Sequence, residues 1–307
     1  MRVMQAAWLW IPITVSAALA QTMRNAAQRR LVSEVGTLGA TLVRFLYGLP
    51  FALVWLAVAC GFTGAALPAT TAVFVGWVAL GAVSQIVATA FLLRAMAERS
   101  FALGVAYSKT EVLLVAVFGL AFLGDALSVT TTAAVLLGTL GVLLLSPADR
   151  ERPLRAMAVG WSTRPALFGL ASGAAFALAA VAFRGATLQL AAASPVVAAA
   201  TTLVLSLALQ TLLLGGTLLA RDAKVVRAVL TLWRPSLFAG FMGAAASACW
   251  FTAFALESAA HVRTLGLIEL VFSVAVSRRF FRERFSRLEA IGMSVLVAGL
   301  LLVTWQR

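Results

Sequence analysis

Four ionisable side chains lie deep inside apolar stretches of the sequence, away from the ends of those stretches: Arg44, Lys109, Glu111 and Glu269. A carboxylate in a medium of low dielectric constant favours its neutral form. Glu111 and Glu269 could therefore take up a proton and release it when a cationic or zwitterionic substrate competes for the same position. Alternatively, two cations and two carboxylates balance in charge, so all four could be static pairs that fix helix packing. The residue types allow both interpretations.

The two carboxylates occupy equivalent positions of an internal repeat. The stretch that begins at Ala102 recurs from Ala260 without a gap, at an offset of 158 residues (269 minus 111). The matched pairs are Glu111/Glu269, Phe122/Phe280, Asp125/Glu283, Ser128/Ser286 and Gly141/Gly299. In each copy a second carboxylate follows fourteen residues after the first. It precedes the next predicted helix, where it would stabilise the helix dipole. The chain is therefore predicted to use one unit twice.

The composition identifies the class of protein. Hydrophobic residues make up 62% of the 307 residues and charged residues only 11%, and the mean hydropathy is +1.00. Soluble domains are only about half apolar, so an all-α integral membrane protein is predicted. The net charge is +13, but the basic residues lie mostly at the ends of apolar stretches. They are therefore assigned to anchoring at an anionic lipid surface, and no nucleic acid is expected as a partner.

Ten transmembrane helices are predicted as two five-helix repeats, residues 1–147 and 165–307, joined by a hydrophilic linker over residues 148–164. Because five is an odd number, the second repeat must enter the membrane inverted, which places the site at the midplane between the halves. Helix 1, about residues 5–23, presents Thr14, Ala18, Gln21 and Asn25 on one inward face.

The two central carboxylates are assigned to helix 4, about residues 102–123, and helix 9, about residues 262–281. On one continuous helix Lys109 lies about 200° around from Glu111. A partner on another helix is therefore expected for Lys109.

Basic residues near helix ends set the expected orientation. The predicted loops on one side carry eighteen Lys and Arg, and those on the other side carry four. Because loops rich in Lys and Arg face the cytoplasm, both termini are predicted outside. Arg24, Arg184 and Arg263 fall near predicted helix ends and are assigned to the membrane interface, with the mouths of a cavity as a second option for Arg24 and Arg184.

The repeats resemble the EamA-type transporters of the drug/metabolite transporter superfamily. In each repeat a turn with an acidic residue leads into a last helix with spaced glycines: Leu123-Gly124-Asp125 with Gly138 and Gly141, then Phe281-Arg282-Glu283 with Gly292 and Gly299. The resemblance covers nearly the whole chain. It implies ten helices in two repeats, transport of small molecules, and cytoplasmic termini, which differs from the charge count. The small residue and proline usual in helices 4 and 9 of the family are replaced here by Lys109-Thr110-Glu111 and Ile268-Glu269.

The sequence argues against an enzyme. Its single histidine, His261, cannot build a zinc site, and no Ser or Cys has an adjacent candidate base. No cofactor and no metal is therefore expected. The sequence also has no Walker-type glycine loop, so transport would draw on an ion gradient or on the gradient of the substrate itself. A channel is disfavoured because inverted repeats suit alternating access.

We therefore expect a secondary transporter that exports small organic metabolites or amphipathic compounds across a bacterial inner membrane, with proton antiport as the preferred coupling. The alternatives left open are an uncoupled facilitator or exchanger and a membrane scaffold that transports nothing. The expected partners are a small-molecule substrate, the lipid bilayer and protons, and the choice between monomer and homodimer is open. The residues expected to line the path are Arg44, Tyr107, Lys109, Glu111, Trp250 and Glu269.

Overall fold

The computed structural model describes residues 8–98, 101–125, 128–144, 164–190 and 194–281, together with positions 291, 292, 294, 295, 298, 299 and 302. Every regular element in these ranges is helical, which confirms the all-α expectation for this part of the chain. The predicted linker lies outside the described residues except for Arg164. Most of predicted helix 10, over residues 288–305, also lies outside them, as does Glu283.

The helices follow one another closely along the chain. The first group is α1 (Trp10–Leu46), α2 (Leu49–Thr63), α3 (Ala72–Glu98), α4 (Phe101–Ser108), α5 (Glu111–Phe118), α6 (Val129–Leu144) and α7 (Arg164–Gln189). The second group is α8 (Pro195–Gln210), α9 (Gly216–Arg221), α10 (Ala223–Thr231), α11 (Trp233–Leu256), α12 (Ala259–Leu265) and α13 (Glu269–Phe281). One π-helical turn, Gly119–Leu123, extends α5, and another, Thr211–Gly215, joins α8 to α9.

Six helical segments within the described ranges are long and apolar enough to cross a membrane: Trp10–Thr63, Ala72–Glu98, Leu167–Gln189, Pro195–Arg221, Trp233–Leu256 and Ala259–Phe280. The protein is therefore an α-helical, multi-pass membrane protein. The segment Trp10–Thr63 combines α1 and α2 over 54 residues, which is enough for two crossings at about 20 residues each.

Helix α1 extends well beyond the predicted end of helix 1 near Met23. It continues past Arg24 and kinks only at Gly36, whose φ of 68° and ψ of 175° suit glycine because it has no Cβ. The prediction that Arg24 lies in a loop is therefore wrong, because Arg24 lies within α1. The inward face predicted on this helix is confirmed by its four members, which are all buried: Thr14, Ala18, Gln21 and Asn25.

Two helix pairs form the centre of the fold: α1 packs along α11, and α3 packs along α7. Glycines let these backbones approach closely. A Cβ on Gly240 of α11 would lie 2.5 Å from the backbone of Tyr47, and one on Gly81 of α3 would lie 2.6 Å from the ring of Phe183 on α7. Membrane helices gain much of their packing energy through such small residues, because lipid tails are as apolar as the helix surfaces themselves.

The predicted helices 4 and 9 are each interrupted at the carboxylate. α4 ends at Ser108 and α5 begins at Glu111, with a turn between them. α12 ends at Leu265, a 3-10 turn follows, and α13 begins at Glu269. The expectation of a continuous helix is therefore wrong for helix 4, whereas predicted helix 9 remains one helical segment, Ala259–Phe280, with a 3-10 turn inside it. In the first break Thr110 Oγ1 donates to the carbonyl oxygen of Tyr107 at 3.0 Å, so a hydroxyl satisfies a backbone acceptor that a regular helix would use.

Candidate functional site

Glu111 and Glu269 hold the same position in the two interrupted helices. Each is the first residue of the helix that follows a break, α5 for Glu111 and α13 for Glu269. Their side chains are buried, at 2% and 1% exposure. Because the N-terminus of a helix carries a partial positive charge, it stabilises a carboxylate placed there. Glu111 and Glu269, which are matched in the sequence repeat, thus also have the same position in the local helical structure.

Three side chains donate hydrogen bonds to Glu269. The Gln21 amide nitrogen lies 2.7 Å from Oε2, the Asn25 amide nitrogen lies 3.0 Å from Oε1, and Lys109 Nζ lies 2.5 Å from Oε2. Gln21 and Asn25 lie one helical turn apart on α1, so both reach the same carboxylate. This arrangement compensates the burial of the negative charge with an opposite charge and two amide donors.

Lys109 connects the two carboxylates. Its Nζ also lies 3.2 Å from Oε1 of Glu111. The prediction of a partner on another helix is confirmed by Glu269, but the prediction that Lys109 cannot reach Glu111 is wrong. It assumed a continuous helix, whereas the turn at Lys109 and Thr110 brings the two side chains to the same side.

Arg263 and Trp250 complete the contacts around Glu111. Arg263 Nη1 lies 3.7 Å from Glu111 Oε1, and the guanidinium carbon lies 4.4 Å from the centre of the Trp250 ring. Trp250 Nε1 donates to the amide oxygen of Gln21 at 2.9 Å. The contacts therefore close a ring, called here the charge ring, through Gln21, Glu269, Lys109, Glu111, Arg263 and Trp250.

Two further arginines of α1 adjoin the charge ring. Arg24 donates to the amide oxygen of Asn25, at 2.6 Å from Nη2, and Asn25 in turn donates to Glu269. Arg44 donates to Thr89 Oγ1 at 3.0 Å and to Ser247 Oγ at 3.3 Å. The assignment of Arg24 and Arg263 to the membrane interface is wrong, because both are buried in the protein, at 0% and 6% exposure. Helix α1 carries Arg24 into the interior because it does not end where the sequence predicted.

These residues account for every buried charged side chain that the described ranges contain. Arg24, Arg44, Lys109 and Arg263 carry positive charge, and Glu111 and Glu269 carry negative charge. Four cations and two carboxylates leave a formal excess of two positive charges. The charge balance expected from the sequence, two against two, does not hold because Arg24 and Arg263 were assigned elsewhere.

The remaining predicted site residues lie close by. Trp250 is a member of the charge ring, and Arg44 lies next to it. Tyr107, at 3% exposure, lies in the last turn of α4, where a Cβ on Gly169 of α7 would be 2.3 Å from its own Cβ. The described residues contain no group of three or more His, Cys, Asp or Glu that could hold a metal ion.

Comparison with known proteins gives a match of fold alone. No protein-family model matches the chain, and no curated protein sequence matches it. A solved crystal structure of a protein aligns with 96% of this chain and 95% of its own, at a TM-score of 0.63 and 16% sequence identity. The chain therefore shares its fold with a solved structure over nearly the full length of both.

A separate ion pair joins α7 to Asp125, which follows the π-helical turn after α5. Arg184 donates to both carboxylate oxygens of Asp125, at 3.0 and 3.1 Å, and to the carbonyl oxygens of Phe254 and Glu257, at 2.8 and 2.6 Å. The sequence did not predict this contact between Asp125 and Arg184, and the interfacial role of Arg184 stays a prediction. Each of the three side-chain nitrogens of Arg184 has an acceptor, so Arg184 serves as a reference for the less well paired arginines of α1.

Proposed function

We propose that the protein is a secondary transporter of ten helices in two inverted five-helix repeats, which carries small organic metabolites across a bacterial inner membrane. One observation carries this proposal: two carboxylates 158 residues apart, each at an interruption of the α-helical pattern, share the ammonium group of Lys109. Secondary transporters commonly bind substrate at interrupted helices, near the midplane between their repeats.

Helix packing supports the repeat. In the proposed numbering, α1 contains the first helix of the first repeat and α7 is the first helix of the second, whereas α3 and α11 are the third helices. Since α1 packs along α11 and α3 packs along α7, each first helix contacts the third helix of the other repeat. Two repeats related by an approximate twofold axis are expected to pack in this reciprocal way.

The charge ring supplies a means of coupling the two repeats. Three of its six members come from each proposed repeat, so the ring cannot stay closed when the halves separate. In the proposed cycle, substrate replaces part of these contacts on one side of the membrane and leaves on the other, after which the ring closes again. A proton on Glu269 removes its charge and weakens its attraction to Lys109. Proton binding and ring closure therefore compete, which is the property that proton coupling requires.

The test uses purified protein in sealed vesicles that contain a pH-sensitive dye, with candidate compounds added one at a time. Wild type is compared with Glu269→Gln and with a matched control, Glu98→Gln, whose carboxylate pairs with Arg94 where both side chains are partly exposed. We expect a substrate-dependent proton signal in wild type and in the control, and none in Glu269→Gln. Transport without any proton signal would leave an exchanger or facilitator. Equal transport and equal proton movement in all three proteins would make the charge ring a structural feature only.

A further inference from the structure

Arg24 and Arg44 are the two cations of the cluster that have no carboxylate partner among the described residues. Lys109 contacts both carboxylates, and Arg263 lies near Glu111. The partners of Arg24 and Arg44 are an amide and two hydroxyls. Glu269 reaches Arg24 only through Asn25, so neither positive charge is neutralised by a direct ion pair. The two excess charges therefore belong to Arg24 and Arg44.

These two arginines lie side by side. A Cβ placed on Gly243 of α11 would be 3.1 Å from Arg44 Cγ and 3.3 Å from Arg24 Cδ, so the two aliphatic stems meet over this glycine. The charge of Arg24 acts on Arg44, and like charges repel. Arg24 and Arg44 are 0% and 2% exposed, so water does not screen that repulsion.

Each arginine also has a buried donor that is not used. Arg24 Nη1 and Arg44 Nε are inaccessible and donate to no atom in the part of the chain that the structure describes. A buried donor without an acceptor costs free energy, and here the cost adds to that of two uncompensated charges. A bound anion in contact with both side chains would remove both costs.

We propose that Arg24 and Arg44 bind the anionic group of the substrate, so that the transported compounds are small dianions such as dicarboxylates or organic phosphates. Guanidinium groups hold carboxylate and phosphate oxygens through paired hydrogen bonds. The two central carboxylates, which pointed toward a cationic substrate, already have Lys109 and Arg263 beside them. The inference rests on the proposed transport function and names its substrate class.

Thermal unfolding of the purified protein in lipid-free neutral detergent tests the site directly. A ligand that binds the folded state raises the Tm. We expect inorganic phosphate, sulfate and malonate to raise the Tm, whereas putrescine and neutral amino acids leave it unchanged. Arg24→Gln and Arg44→Gln should each weaken anion binding by roughly tenfold or more. Arg44→Lys keeps the charge without the planar fork of donors and should retain part of the affinity.

The unliganded Tm gives a second readout, and Arg184→Gln is the matched control. Because Arg24 and Arg44 repel each other, removing either charge should leave the unliganded Tm unchanged or higher. Arg184 is paired with Asp125, so Arg184→Gln should lower the Tm and keep the full response to anions. Two separate glutamine variants ensure that the test survives if one of them does not fold.

A Tm response to putrescine and none to dianions would overturn the proposal, as would an equal dianion response in wild type and both glutamine variants. No response to any dianion would also overturn it. A further arm adds phosphatidylglycerol, whose phosphodiester carries a single negative charge: a response to this lipid but to no free dianion would overturn the dianion proposal and identify a lipid phosphate as the bound anion. The Tm assay does not measure transport, so this proposal and the transporter proposal can fail separately. Anion binding in the Tm assay together with no transport in vesicles would reject the transporter proposal and leave this site intact.

Discussion

Lys109 Nζ lies 2.5 Å from Oε2 of Glu269, a residue 160 positions further along the chain. Lys109 occupies the break between α4 and α5, and Glu269 begins the helix after the second break. This ion pair thus joins the two interruptions directly. A movement that separates the proposed repeats must break it, whereas a static scaffold would keep it at all times. The pair is therefore the contact at which the transport and packing interpretations differ most.

Removing one member of this pair is expected to destabilise the protein. Glu269→Gln leaves Lys109 with Glu111 alone, and Lys109→Met leaves two carboxylates without their shared cation. Leaving a buried charge unpaired costs about 3–5 kcal/mol, so Lys109→Met should unfold at a clearly lower temperature. Glu269→Gln keeps the pair of Lys109 with Glu111 and should lose less stability. The double variant Lys109→Met/Glu269→Gln removes both charges and should recover part of the loss. The measurement is thermal unfolding in detergent for all four proteins of the cycle.

The same four proteins separate the two interpretations when their transport is measured. A double variant that is stable but inactive supports a role for the pair in the transport cycle. A double variant that recovers activity together with stability would show that the pair only fixes packing. Single variants as stable as wild type would contradict the geometry of the pair itself.

The glycines at the breaks offer a test of close packing. A Cβ on Gly173 of α7 would lie 2.7 Å from Thr110 Oγ1 and 2.8 Å from the carbonyl oxygen of Ser108. Gly173→Ala must therefore displace the first break, at a cost of about 1–3 kcal/mol typical of overpacking. Gly76 in α3 has no described atom within 4 Å of such a Cβ, so Gly76→Ala should be neutral or slightly stabilising, because alanine is the better helix former. Chemical denaturation of the two variants checks the difference, and equal stability would contradict it.

Trp250 is expected to contribute through two separate contacts. Its indole N–H donates to Gln21, and its ring lies under the Arg263 guanidinium. Trp250→Phe removes the hydrogen bond and keeps a weaker aromatic face, so a loss of about 1–2 kcal/mol in stability is expected. Trp233, which is 51% exposed and stacks with Arg234, supplies the control Trp233→Phe. Equal unfolding temperatures for the two variants would mean that the contacts of Trp250 with Gln21 and Arg263 do not stabilise the protein.

The central carboxylates could be found from the sequence, and most of their partners could not. A carboxylate inside an apolar stretch is costly, so Glu111 and Glu269 stood out, and the inward face of α1 followed from helical spacing. Arg24 was misplaced because the polar residues after Met23 resemble a loop, whereas they continue a helix whose buried side faces other charges. Sequence hydropathy cannot distinguish a water-exposed polar stretch from one that faces a buried polar cluster.

The helix breaks were missed for a related reason. Neither Lys109-Thr110 nor Gly266-Leu267-Ile268 contains a proline, which is the usual signal of an interrupted helix. The breaks are stabilised by contacts from elsewhere in the chain, such as the close approach of Gly173 and the donors of α1 that reach Glu269. Tertiary contacts of this kind leave no periodic trace near the break itself.

The orientation of the chain in the membrane gives the last prediction. Lys224 lies on α10, a short helix with basic residues on its exposed side, and Ala66 lies in the connection between α2 and α3; both are exposed. Because segments rich in Lys and Arg face the cytoplasm, Lys224 should lie inside and Ala66 outside.

Single cysteines at these positions, in a background with Cys60→Ala and Cys249→Ala, are treated in intact cells with a maleimide that cannot cross the membrane. We expect labelling of Ala66→Cys and none of Lys224→Cys, with both labelled after permeabilisation. The reverse pattern would place both termini in the cytoplasm, as the family resemblance implies, and would contradict the prediction from the charge count.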